Sequence, residues 1–61
     1  MDKKKEILKW LKQLGRTPTS KIMVLIGTNL EYTKRYLEEL KEEGKIIKEE
    51  ETNSIYWRIN A

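Results

Sequence analysis

Cysteine and histidine are both missing from this 61-residue chain. Without thiols there is no disulfide staple and no thiolate nucleophile, a usage that suits a reducing cell interior. Without imidazole the commonest general base and metal ligand near neutral pH is lost as well. No apolar run approaches the roughly 20 residues that span a bilayer, and the charged N-terminus lacks the apolar stretch of a secretion signal. The three glycines, Gly15, Gly27 and Gly44, stand apart, so there is no glycine-rich phosphate loop. The carboxylates of Glu38, Glu39, Glu42 and Glu43 fall on a solvated helix face, where nothing would shift their pKa toward acid–base or metal work. These absences exclude the usual enzyme, cofactor and metal chemistry, and a chain this short has no room for a deep cleft for a small-molecule substrate. The expectation is a cytoplasmic protein with no membrane span that acts through contact with other macromolecules.

What is present is charge, and it is unevenly spread. The net charge is +3. Residues 1–36 hold nine bases against three acids, a surplus of six, whereas residues 37–61 hold four bases against seven acids, a deficit of three. Such asymmetry points to a face for an anionic partner, nucleic acid being the common one. A solvated Lys/Glu surface is the bland alternative.

Periodicity supplies the elements. In "DKKKEILKWLKQL" (2–14), Ile7, Leu8, Leu11 and Leu14 lie on one stripe of a helix, Asp2 can cap its start and Gly15 can end it. Pro18 forces "RTPT" (16–19) out of the helix and into a short extended link, a one- or two-residue edge strand at most. Thr19 or Ser20 then caps a short second helix, "SKIMVLI", closed by Gly27. With Ile22, Met23 and Ile26 inward, Val24 and Leu25 are left outside. Thr28 or Asn29 caps a third helix over about residues 29–43. Thr28 and Glu31 have the spacing of a capping box, and Leu30, Thr33, Leu37 and Leu40 form its buried stripe. After Gly44 the period changes to two: "KIIKEE" and "SIYWRI" flank "ETNS", an Asn-Ser turn, in a hairpin. Ile55, Trp57 and Ile59 share its inner face, joined by Ile47, with Tyr56 and Arg58 outside. No linker or repeat interrupts residues 1–61, which read as a single domain.

The run "SKIMVLIGTNLEYTKRYLEELKEEGKIIKEEETNSIYWRI" resembles the winged helix-turn-helix DNA-binding domains of small archaeal and bacterial regulators. The resemblance lies in the order of patterns rather than in any one motif: a short capped helix, a glycine turn, a second helix ending E-G-x-I, and a hairpin closing on aromatic-Arg-Ile. It implies an α+β fold, a three-helix bundle followed by a C-terminal β-hairpin wing, with the third helix laid in the major groove.

That implication selects residues. With the leucines inward, the outward surface of the third helix is Asn29, Tyr32, Lys34 and Arg35 in its first two turns, then glutamates. Arg35 suits guanine and Asn29 adenine, while Tyr32 and Lys34 suit phosphates. Ser20 and Lys21 sit where related domains touch phosphate, and Lys3, Lys4 and Lys5 are further backbone candidates. Alternatively, Arg35 pairs with Glu31 or Glu39, and Thr19 and Ser20 serve as caps alone. The wing departs from the type, because Glu49, Glu50 and Glu51 would repel phosphates. The expected function is sequence-specific binding of double-stranded DNA by a transcriptional repressor. It would act as a homodimer through Trp10, Val24, Leu25 and Tyr36, or those aromatics simply lap the core edge. The rivals are a winged-helix protein-interaction module and a non-specific architectural DNA binder.

Overall fold

The computed structural model describes residues 2–61, which form α1 (Lys3–Leu14), β1 (Thr17–Pro18), α2 (Thr19–Ile26), α3 (Leu30–Glu42), β2 (Ile46–Glu50) and β3 (Ile55–Ile59). The expected α+β arrangement of three helices and a hairpin is what the chain adopts, with the proline-containing link adding a third strand.

Asp2 caps α1 as expected, its carboxylate accepting from the backbone N–H groups of Lys4 at 3.0 Å and Lys5 at 3.4 Å. Ile7 and Leu11 are fully buried, and Leu8 is half-buried. Leu14, expected on the same stripe, is 44% exposed. It lies about two turns beyond Ile7, outside the buried cluster that covers Ile7 and Leu11.

Neither Thr19 nor Ser20 caps α2. Pro18 occupies the cap position and offers no side-chain hydrogen bond, while Thr19 is already helical. Its hydroxyl is engaged elsewhere: it accepts from the Trp57 indole N–H at 2.7 Å and donates to the Ile55 carbonyl at 3.1 Å. Ile22 and Ile26 enter the core, Met23 and Leu25 are half-buried, and Val24 is 73% exposed.

At α3 the cap is Asn29, whose side-chain oxygen accepts from the Tyr32 N–H at 2.9 Å. The helix therefore starts one residue too late for the Thr28–Glu31 capping box. Thr33, Leu37 and Leu40 are buried, and the Thr33 hydroxyl is satisfied by the Asn29 carbonyl at 2.7 Å. Leu30 is not on the buried face: it is 46% exposed. Gly44, at φ 78°, takes the left-handed turn after α3. Its N–H donates to the Lys41 carbonyl at 2.9 Å, and that of Lys45 donates to the Leu40 carbonyl at 3.0 Å, closing the helix end.

The antiparallel sheet runs β1-β3-β2, with β3 central. Its register pairs Ile46 with Ile59, Lys48 with Trp57 and Glu50 with Ile55. That parity puts Ile46, not Ile47, on the core side, and sends Ile47 outward with Glu49, Tyr56 and Arg58. The Glu51 N–H donates to the Ser54 carbonyl at 2.8 Å, so Thr52 and Asn53 form the tip rather than Asn53 and Ser54. All elements but β1 supply the single core of Ile7, Leu11, Ile22, Ile26, Leu37, Leu40, Ile46 and Trp57. Each such side chain contributes about 1.5–3 kcal/mol by leaving water.

Candidate nucleic-acid interface

Burial of Thr33, Leu37 and Leu40 fixes the rotation of α3. It leaves Asn29, Tyr32, Lys34 and Arg35 exposed along the first two turns. The Arg35 guanidinium lies over the Tyr32 ring, 5.4 Å from its centroid, so the tyrosine steadies it by cation–π attraction. The ion-pair alternative for Arg35 is not realised: no carboxylate among the described residues lies within 4.0 Å of it, and Glu39 pairs with Lys4 at 3.4 Å instead. Lys34 and Lys21 likewise have no carboxylate within 4.0 Å among the described residues. Asn29 is partly committed. Its oxygen serves the helix cap, leaving its side-chain amide N–H groups as donors, whereas pairing with adenine asks for both ends of the group.

Ser20 is exposed at the start of α2 and shares a hollow with Leu30, Met23, Asn53 and Ser54. The openings of both helices thus adjoin the hairpin tip. Leu30 faces this hollow, which accounts for its exposure.

The wing carboxylates are neutralised from within. Glu49 accepts from Arg58 and from Arg16, each at 2.7 Å. Those two guanidinium hydrogen bonds hold its carboxyl below the usual 4.5. Arg16 also reaches Glu51 at 3.3 Å and stacks 3.8 Å from the Tyr56 ring centroid, while Lys48 lies 3.9 Å from Glu50. The repulsion expected from Glu49, Glu50 and Glu51 is therefore largely met by cations of the same chain, and the tip itself is uncharged. Sequence reasoning missed Arg16 and Arg58 in this role, and local spacing could not have revealed it, because Arg16 and Glu49 are 33 positions apart.

The acidic half of α3 is tied back in the same way. Glu43 lies 2.5 Å from Lys4, and Glu38 sits 3.2 Å from both Lys41 and Lys48. The Lys4 hydrogen bond holds the Glu43 carboxyl below 4.5. At Glu38 partial burial pushes upward, but the bonds from Lys48 and Lys41 outweigh it and the net movement is also downward. Lys3 and Lys4 are occupied in such pairs, with Glu6 and with Glu39 and Glu43, unlike Lys5. Of the residues considered for a subunit contact, Trp10 and Tyr36 pack against the core and Leu25 is half-buried. Val24 alone stands clear.

Three helices, a glycine-ended turn between α2 and α3, and a three-stranded sheet ending in a hairpin make this a winged helix-turn-helix domain. It is similar to a possible transcriptional regulatory protein of Mycobacterium bovis (fragment 1–100), with 28% identity over 100% of this chain and 64% of that one, at a TM-score of 0.93. The solution structure of the same fragment is described as a homodimeric winged helix-turn-helix DNA-binding domain of a possible ArsR-family transcriptional regulator. That match has 29% identity over 97% of this chain and 54% of the other, at a TM-score of 0.89. The chain thus spans roughly half to two thirds of that fragment in its two structures. The Zalpha domain of Carassius auratus PKZ, solved in complex with Z-DNA, shares the fold at 21% identity, covering 93% of this chain and 90% of its own, with a TM-score of 0.84. No protein-family model matches the sequence, and no curated protein does. No helix among the described residues is long and apolar enough to cross a membrane.

Proposed function

We propose that the domain binds double-stranded DNA sequence-specifically, with the opening turns of α3 in the major groove, as part of a transcriptional regulator. The observation that carries the reading is the isolation of Lys34 and Arg35. Both are exposed and lack a carboxylate within 4.0 Å among the described residues; Arg35 lies on the side of α3 opposite its buried leucines and Lys34 on its flank. Arg35 is the base-reading candidate, its planar fork being suited to guanine O6 and N7. Tyr32, Lys34, Lys21, Ser20 and the free N–H groups of Asn29 suit phosphates, which position the helix without reading sequence. The neighbouring hairpin tip, polar and uncharged at Thr52, Asn53 and Ser54, can lie beside the backbone now that Glu49 is neutralised. Similarity at 28% and 29% identity to two structures of one Mycobacterium bovis fragment, described as a winged helix-turn-helix DNA-binding domain, supports the class, and its homodimeric state supports two-fold binding. Val24 is the contact candidate that remains.

Val24 also favours a second reading, a protein-interaction module, since it is the most exposed large apolar side chain among the described residues. Gel shifts on random duplex at graded salt separate the two. DNA binding through three or more phosphates gives a log–log slope of about −2.7 or steeper. No shift even at low salt leaves the interaction module.

A further inference from the structure

The unpaired cations fall into two groups, and only one of them lies at the opening of α2 and α3. Lys5, Lys9 and Lys12 are exposed, lack any carboxylate within 4.0 Å among the described residues, and line one shallow depression with Leu8 and Gln13. At about 100° per residue they lie on the face of α1 opposite Ile7 and Leu11, away from the core. Their arrangement breaks a local rule. Lys5 and Lys9 are four residues apart and Lys9 and Lys12 three, so like charges stack along one face, each pair costing a few tenths of a kcal/mol. Elsewhere the cations at Lys3, Lys4, Lys41, Lys45 and Lys48 are each matched to a carboxylate. On α3 the like-charged steps Glu38–Glu42 and Glu39–Glu43 are relieved by Lys4, Lys41 and Lys48, whereas on this face the internal partner is the Trp10 ring, 5.8 Å from the Lys9 ammonium. A local rule broken with so little compensation inside the chain marks a site completed from outside.

We infer that this face of α1 is a second binding surface for double-stranded DNA, so that the domain can bridge two duplex segments. The inference rests on the DNA-binding reading of α3. Three ammonium groups spread over about 10 Å of helix axis face a polymer carrying one charge per about 1.7 Å of its length. The contact is sequence-independent, because lysines without an amide or guanidinium beside them engage phosphate rather than base edges. An anionic membrane is the poorer occupant. Apart from half-buried Leu8 this face has no apolar side chain to insert, Trp10 being turned to the core.

The test is duplex capture. A biotinylated duplex carrying a selected site is held on beads, protein is added at about 0.15 M salt, and retention of a second, fluorescent duplex is read. Wild type should retain it. The variant K9Q/K12Q, altered only at exposed positions and checked by circular dichroism, should retain about tenfold less. Its affinity for a single selected duplex should change by less than about threefold. Capture by the double variant equal to wild type overturns the inference, since the bridge would then come from two α3 surfaces of a dimer. A wild type that shifts single duplexes but captures none overturns it alone, whereas one that shifts no duplex overturns the α3 reading too. Lysine-dependent sedimentation with phosphatidylserine–phosphatidylcholine vesicles, without duplex capture, also overturns it, in favour of a membrane surface.

Discussion

Replacing Thr19 by valine should unfasten the wing from the helices while leaving side-chain shape almost intact. The Thr19 hydroxyl accepts the Trp57 indole N–H at 2.7 Å and donates to the Ile55 carbonyl at 3.1 Å, joining the start of α2 to the central strand β3. Trp57 is only 2% exposed, so its N–H cannot turn to water when the hydroxyl goes. An orphaned buried donor costs about 1–3 kcal/mol. Against a total of about 3–9 kcal/mol for a domain of this length, that is a large fraction. For so small a domain each kcal/mol lowers Tm by about 4–8 °C, so Thr19→Val should melt about 8–16 °C lower if the cost is about 2 kcal/mol. Thr19→Ser keeps the hydroxyl and should lose less than about 1 kcal/mol, chiefly through the missing methyl. Thermal and urea unfolding followed by circular dichroism measure both. A valine variant within about 0.5 kcal/mol of wild type, the range of an ordinary surface change, would show that the hydrogen bond does not tie the elements together.

Leu37→Ala empties a fully buried site and should cost about 2–5 kcal/mol in urea unfolding, a large share of the total stability. Asn29→Ala should lose about 1 kcal/mol through the missing cap. Asn29→Asp should keep the cap yet weaken duplex binding in a gel shift, because it trades a donor for a charge that repels phosphate. The carboxyls of Glu49, Glu43 and Glu38 all titrate below 4.5 in the folded chain. Their contribution is therefore complete above that value and disappears as pH falls through the lowered values. The urea midpoint should drop on acidification below 4.5, and Glu49→Gln should flatten part of that drop. A midpoint constant from pH 6 to pH 3 would contradict the pairings.

Much of the architecture was legible because it rests on period and punctuation. Ile7 and Leu11, Ile22 and Ile26, and Leu37 and Leu40 recur at helical steps, and Gly15, Gly27 and Gly44 sit where helices stop. What misled lies at the ends of these patterns. Periodicity gives the azimuth of a side chain but not how far its covering neighbours extend, so Leu14 and Leu30 were expected inside and are exposed. In the hairpin a shift of one residue exchanges faces, and a turn closing at Glu51 and Ser54 selects Ile46 over Ile47. Side-chain oxygens with two possible uses were ambiguous for the same reason. Thr19 could cap or bridge, and only the position of Trp57 decides. At the candidate interface the rotation of α3 followed from its own sequence, so Tyr32, Lys34 and Arg35 could be named. The state of the wing could not be read, because it depends on Arg16 meeting Glu49 across 33 positions. The lysines of α1 offered a local signal, like charges at steps of four and three whose one intervening acid, Glu6, pairs with Lys3, that charge totals by half-chain conceal.

The most direct test of the α3 reading begins with a site selected from a random duplex pool. Wild-type and Arg35→Ala affinities are then compared on that site and on a scrambled duplex at one salt concentration. Loss of a guanine contact should weaken the selected site by about 1–3 kcal/mol, roughly 5- to 150-fold, and the scrambled duplex far less. Equal weakening of both duplexes, or no weakening of either, would contradict it.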